Sequence, residues 1–403
     1  MSQAWVSDRN GEGAWRGGVL VFVAVATPIV AYLGNQGFAP LVAGAGLLCL
    51  PTLLGRRPPL YGLLALIALV LWACASTWWS VFSPIKPDGK LNPETVTAVK
   101  LGLELALYSA FVVAAIGLSP VWARRGLMAL GIGLAVVGLI LLVESITGAA
   151  LYKAIRAAAH QPVRVDFAPR NVARVSYVLA LLFFPVALFL TRERLALAAL
   201  PILAGMVAGA IGLNVNTPLV ALFVSGAVFL LVWKTGRIGL IILLAGVAAY
   251  FALAPLLVHW IAPLDPLHIG QGEIGKESWG ARVALWRFAA DRILERPLWG
   301  WGLDASRAFP AAIPLHTHDA AMQLWLELGL PGAALAAAFF VWLIGRIDKL
   351  EAVDRPAAAA AAASLSAYLV VGALSFGAWQ EWWLALAALA CVAVIAAGRA
   401  ARS

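Results

Sequence analysis

Charge is what this sequence lacks most. Only 12 % of its 403 residues are Asp, Glu, Lys or Arg, against roughly a quarter in soluble globular domains. Acid is scarcer than base: 20 Asp and Glu face 29 Lys and Arg, so the formal charge is +9 with the five histidines neutral. A chain so poor in charge cannot cover itself with a hydrated surface, which excludes a soluble enzyme. The excess of base is a question of which side of a membrane it faces, not a sign of nucleic-acid binding. Cysteine is nearly missing as well. Cys49, Cys74 and Cys391 all fall inside apolar runs, which leaves neither a disulfide framework nor a cysteine metal cluster. There is no repeat of solenoid period and no Asp-x-Asp pair, and the Ala-rich run 357–363 begins an apolar segment.

What the chain has is apolar length. Hydrophobic residues make up 63 % of it and the mean hydropathy is +0.90. Runs of about twenty apolar residues, enough to cross a bilayer core, recur throughout. They predict an all-α polytopic membrane protein with twelve spans, near 17–34, 38–54, 60–80, 99–117, 126–146, 173–191, 195–213, 217–233, 238–257, 321–345, 357–377 and 382–398. The first run lacks a small-residue cleavage site and is expected to be a retained span. Basic clusters separate alternate spans: Arg9 and Arg16, Arg56-Arg57, Arg124-Arg125, Arg192 and Arg194, Lys234 and Arg237, Arg346 with Lys349 and Arg355, and Arg399 with Arg402. By the positive-inside rule that side, with both termini, is cytoplasmic. Three longer segments, about 81–98, 147–172 and 258–320, then face the other way. The chain divides into nine spans (1–257), a large outer loop (258–320) and three closing spans (321–403).

The outer segments carry arginines with few local counter-ions. In "VDFAPRNVARVSY" Pro169 is a natural first helical residue, so Arg170 and Arg174 fall four apart in the first turns, with Asp166 as the nearest acid. Cations at a helix N-terminus oppose the macrodipole unless an anion joins them. In "SWGARVALWRFAADRILERP" the period predicts an amphipathic interfacial helix, with Val283, Trp286, Ala290, Ile293 and Leu294 as its apolar stripe. Asp291 and Glu295 answer Arg287 and Arg292 within one turn, leaving Arg282 without an acid at helical spacing. Arginine forks suit phosphate oxygens, and a lipid-linked phosphate ligand at the membrane surface accounts for the group.

The stretch "HTHDAAMQLWLELGLPG" (316–332) follows. Thr317 is the expected N-cap; Asp319, Gln323 and Glu327 form a polar stripe expected to face the protein interior or a water-filled cavity. Gly329, Pro331 and Gly332 break the helix. His318, with an ordinary pKa near 6.5, is suited to take a proton from a hydroxyl. His316, His318 and Asp319 do not have the spacing of a metal site. His160, His259 and His268 have no partner motif and are expected to be structural or solvent-facing.

Here the sequence resembles the O-antigen ligase and polymerase superfamily of membrane glycosyltransferases. The family pattern is a His, an amide or hydroxyl residue, nine residues, then Gly-x-x-Gly. His318, Asp319, Gly329 and Gly332 occupy those places. The upstream Ser278, Arg282, Trp286, Pro297, Gly300 and Gly302 resemble the family's Ser, Arg-x-x-x-Trp and Pro-x-x-Gly-x-Gly approach to it. Two departures stand out: Asp319 replaces the usual Asn, Ser or Gln, and Asn216-Thr217 stands where many members have a Ser/Thr-Arg pair.

The resemblance implies transfer of an undecaprenyl-pyrophosphate-linked glycan onto the lipid A core oligosaccharide, at the periplasmic face of the bacterial inner membrane. Membrane lipid is then the other expected partner, and no cofactor is expected. Arg170, Arg174 and Arg282 would bind the pyrophosphate, making a metal unnecessary. His318 would be the general base of an inverting reaction, with Asp319, Gly329, Gly332, Trp286, Glu327 and His316 as supporting or motif residues. His316 lacks the family spacing to Gly329 and is expected to serve as the control for His318. A polymerase of the same superfamily fits the motifs equally well. A lipid-linked saccharide transporter fits the outer basic surface, but the chain shows no inverted repeat or matched broken spans.

Overall fold

The computed structural model describes residues 10–55, 60–83, 85, 96–261, 277–314 and 316–401. Arg9, Arg56, Arg57, Arg402, His268 and most of segment 81–98 lie outside the described residues, as do the side chains of His259 and Ser278. Everything described is helix or loop. The helices are α1 (Asn10–Leu33), α2 (Phe38–Cys49), α3 (Pro51–Gly55), α4 (Leu60–Ser76), α5 (Thr97–Ile116), α6 (Pro120–Thr147), α7 (Ala150–Ala158) and α8 (Phe167–Ala173). They continue as α9 (Val175–Arg192), α10 (Ala199–Gly212), α11 (Thr217–Thr235), α12 (Arg237–Ile261), α13 (Glu277–Glu295), α14 (Ala320–Glu351), α15 (Arg355–Leu374) and α16 (Glu381–Ala400). Among the described residues ten helical segments are long and apolar enough to cross a membrane. The chain is a multi-pass, all-α membrane protein. The two further expected spans correspond to the shorter apolar helices α2 and α10.

Several helices outrun their apolar cores. Pro120 starts α6 behind Ser119, so Arg124 and Arg125 lie inside the helix instead of in a linker. Likewise α14 carries Arg346 and Lys349 within its last turns. One end of the bundle collects these cations with their acids. Arg124 Nε lies 2.8 Å from Glu193, Arg192 2.7 Å from Asp354, Arg355 2.8 Å from Glu351 and Arg237 3.5 Å from Asp348. The basic clusters near 124, 192, 237 and 346–355 therefore share one end, as the alternation of spans requires.

The interior divides into two apolar cores. One gathers α1, α2, α6, α9 and α16; the other gathers α4, α12, α13, α14 and α15. Lipid-like surroundings give helices no hydrophobic reason to associate, so small side chains that allow close approach matter. The alanines 357–363 of α15 are all buried, α15 packs against α9, α11 and α14, and Ser364 Oγ donates to the Leu181 carbonyl at 2.9 Å.

Helix α13 is amphipathic as expected, but its buried side is rotated. Leu285, Ala289, Ala290 and Ile293 are buried, Trp286 is half-buried and Leu294 is exposed. The rotation follows from docking: α13 packs on α12 and α14, so its neighbours, not the apolar stripe alone, select the inward residues.

Candidate active site

The start of α14 fixes the geometry. Its N-cap is Asp319, not Thr317: the Asp319 carboxylate accepts from the Met322 N–H at 3.0 Å and from the Tyr250 hydroxyl at 2.8 Å. Thr317, fully buried, donates its hydroxyl to the Asp319 carbonyl at 2.6 Å. Burial pushes the Asp319 carboxyl up to about 6, against the opposing bonds from Met322 and Tyr250. No hydrogen bond joins this carboxylate to the His318 ring among the described residues, so the departure at Asp319 is a capping feature. Asp and Asn cap helices about equally well.

Three turns into α14 the helix breaks. Gly329 has φ 64° and ψ −160°, a backbone region open essentially to glycine alone. The freed carbonyls find partners from outside: Leu326 accepts from Trp301 N at 2.8 Å, Glu327 from Gly302 N at 2.8 Å and Leu328 from the Trp72 indole at 2.9 Å. Leu330 N returns the exchange to the Pro297 carbonyl at 2.8 Å. The Pro-x-x-Gly-x-Gly segment thus docks across the break. A Cβ on Gly300 would stand 2.5 Å from the Glu327 carbonyl oxygen, and one on Gly329 2.6 Å from that of Leu298. The two glycine signals in the sequence are one interface.

The polar stripe of α14 faces the protein interior. Glu327 is fully buried and accepts from four donors: Asp304 N at 3.0 Å, Ser306 Oγ at 2.7 Å, Gln323 Nε2 at 3.0 Å and Trp379 Nε1 at 2.7 Å. Gln323 in turn accepts from Ala378 N at 2.8 Å. A buried carboxylate needs such partners, and here it ties the 304–306 loop and the α15–α16 turn to α14.

His318 sits just before the cap with φ 55°, in the left-handed region where a side chain is strained. Its Nδ1 lies 2.9 Å from the Ser375 carbonyl. A carbonyl only accepts, so Nδ1 carries the hydrogen and Nε2 presents a lone pair. Burial lowers the His318 pKa from 6.5; the Ser375 bond opposes this and the Arg282 charge adds to it. Ser375 Oγ donates to Thr217 Oγ1 at 2.8 Å and lies 3.2 Å from the Tyr177 hydroxyl. Thr217 therefore supports the residue that holds His318.

His316 is not the detached control that its spacing predicts. Its ring centroid is 4.2 Å from that of His318, and its Nδ1 accepts the His318 backbone N–H at 3.0 Å. Burial, and then the charges of His318, Arg282 and Arg307, hold it down at about 3.

The arginines separate. Arg282 and Trp286 lie one turn apart on α13, and the Trp286 indole donates to the Thr317 carbonyl at 2.8 Å, fastening α13 beside the histidines. Arg282 is close enough that its charge acts on His318, His316 and Tyr177, and burial lowers its own pKa. Arg174 acts on Tyr177 as well. Arg170 has no such link: it is exposed, with its guanidinium 5.7 Å from the Phe167 ring centre. The helix also begins at Phe167 instead of Pro169, with Arg174 at the junction of α8 and α9, and Asp166 pairs with Arg164 at 3.1 Å. Arg307 also acts on His316 and lies 3.2 Å from Asp304, its i−3 neighbour. Tyr177 and Thr217 reach the site from α9 and α11, and Ser375 and Gln380 from the α15–α16 turn, beyond any local periodicity.

Comparison with known proteins bears on part of this region. Residues 178–337, which include the His318 pattern and its glycines, match the family described as O-antigen ligase. A Rickettsia conorii protein provisionally named as a polysaccharide ligase is 30 % identical over 117 residues, 26 % of this chain and 28 % of its own. Similarly named proteins of Rickettsia prowazekii and Rickettsia typhi are 27 % and 26 % identical over 136 residues, 30 % of this chain and 33 % of theirs. The match thus spans no more than a third of these relatives' length.

Proposed function

From an O-antigen ligase segment at residues 178–337, we propose that this membrane protein transfers an undecaprenyl-pyrophosphate-linked glycan onto the lipid A core oligosaccharide. The reaction takes place at the periplasmic face of the bacterial inner membrane, with the termini on the cytoplasmic side. The observation that carries this reading is the His318 ring, its Nδ1–H spent on the Ser375 carbonyl and its Nε2 open, within the field of Arg282.

In the mechanism, the acceptor hydroxyl attacks the anomeric carbon as the bond to the pyrophosphate oxygen breaks. The hydroxyl proton passes to His318 Nε2, and the configuration at that carbon inverts. Arg282 and Arg174 offset the charge that develops on the departing polyprenyl pyrophosphate, where preformed donors contribute most. Arg170, pointing to Phe167, is assigned to the approach of the phosphate or of lipid headgroups. A lowered His318 pKa keeps the base neutral at physiological pH.

A purified preparation given the donor together with either lipid A core or only further donor tests the acceptor. Capped lipid A core without lengthened donor supports ligation. Lengthened donor alone makes the protein a polymerase of the same superfamily. Donor moved across a bilayer with no acceptor dependence makes it a transporter and overturns the proposal.

A further inference from the structure

His318 occupies the left-handed backbone region, uncommon for a residue with a side chain, and something must hold it there. The residue is clamped at two points: its ring on the Ser375 carbonyl at 2.9 Å, and its backbone N–H on the Nδ1 of His316 at 3.0 Å. A side-chain acceptor at residue i taking the N–H of residue i+2 is the arrangement of an Asx turn, normally made by Asn or Asp. Here an imidazole makes it. Because its Nδ1 accepts, the neutral His316 ring carries its hydrogen on Nε2, 3.2 Å from the Gln380 side-chain amide. Turning that amide by 180° sets its otherwise unpartnered Oε1 on this N–H. Gln380 itself is anchored in the α15–α16 turn that also presents Ser375. One short turn thus fixes both histidines.

We propose that His316 is a positioning residue for the reaction, its Nδ1 acting as the acceptor that holds His318 in the left-handed turn with its ring on Ser375. The inference rests on His318 being the base. His316 does not touch the reacting atoms; it decides where His318 Nε2 stands. Its low pKa serves the role, since a protonated ring would have no acceptor at Nδ1.

Two variants separate the acceptor from the ring. His316→Phe keeps a planar ring against His318 and removes the acceptor. His316→Asn removes the ring and keeps an acceptor, Oδ1, at the position of Nδ1. With the full chain in detergent, undecaprenyl-pyrophosphate-linked oligosaccharide as donor and lipid A core as acceptor, His316→Phe should lower kcat by about ten- to a hundredfold with the donor KM unchanged. His316→Asn should restore kcat to within about threefold of the parent, an allowance for the lost Gln380 contact. An active His316→Phe, or an Asn variant as slow as the Phe variant, overturns the inference, because ring packing or mere folding would then be what His316 supplies. A His318→Ala variant in the same series that transfers at the parent rate overturns the base assignment itself, whatever the His316 variants do.

Discussion

At the residue scale, the chemistry depends on an imidazole whose two nitrogens have different duties. The Ser375 carbonyl takes the Nδ1 hydrogen, and the half-buried position with Arg282 nearby disfavours the imidazolium. A general base works while neutral, so activity falls as pH drops through the His318 pKa, and that acid limb lies below the ordinary imidazole value of 6.5. Arg282→Ala removes a positive charge that opposes protonation, so the His318 pKa rises and the limb moves to higher pH. Arg282→Lys keeps the charge and should leave the limb in place. Arg282→Ala should also lower kcat by about a hundred- to a thousandfold through lost stabilisation of the leaving group. A normalised pH–rate profile of the two variants is the check; an Ala profile superimposed on the parent's would remove Arg282 from the neighbourhood of the base.

At the scale of elements, the decisive feature is the break in α14 and what fills it. The sequence announces the break through Gly329, Pro331 and Gly332, and announces separately a glycine-punctuated turn at 297–302. That the second docks across the first was not readable, because the carbonyl acceptors are backbone groups without a side-chain signature. The cap was equally ambiguous: Thr317 and Asp319 are both good N-cap residues, and it is the Asp319 carboxylate that takes the Met322 N–H. The polar stripe and its inward face were readable, but the donors to Glu327 were not, since the four come from three separate segments of the chain. Gly329→Ala should destabilise the protein by at least about 2 kcal/mol, as a side chain at that φ and ψ is strained and its Cβ would stand 2.6 Å from the Leu298 carbonyl oxygen. Gly345→Ala, in the same helix with nothing near its Cβ, should be neutral or mildly stabilising. Thermal melts in one detergent compare the two, and equal melting temperatures would contradict the docked break.

For the whole molecule, the spacing of basic clusters was the most legible property. Spans near 99–117, 217–233 and 382–398 correspond to α5, α11 and α16 within a few residues, because a bilayer's thickness constrains apolar length more tightly than most folds constrain anything. The ion pairs joining Arg124, Arg192, Arg237 and Arg355 to acids at one end, and the His318–Ser375 contact at the other, give the bundle two chemically distinct ends. Single cysteines in a chain cleared of its own three should report the sides. Gln161→Cys should react with a membrane-impermeant maleimide in spheroplasts, and Lys234→Cys only after permeabilisation; both residues are exposed. The reverse pattern would invert the proposed orientation and place His318 away from a periplasmic acceptor.

The central claim, a histidine base served by arginines at one end of the bundle, is tested most directly by the transfer rate of purified His318→Ala with donor and lipid A core both saturating. The account predicts a fall of at least about a hundredfold, the usual contribution of a positioned general base, with donor binding retained. Transfer at the parent rate would contradict it.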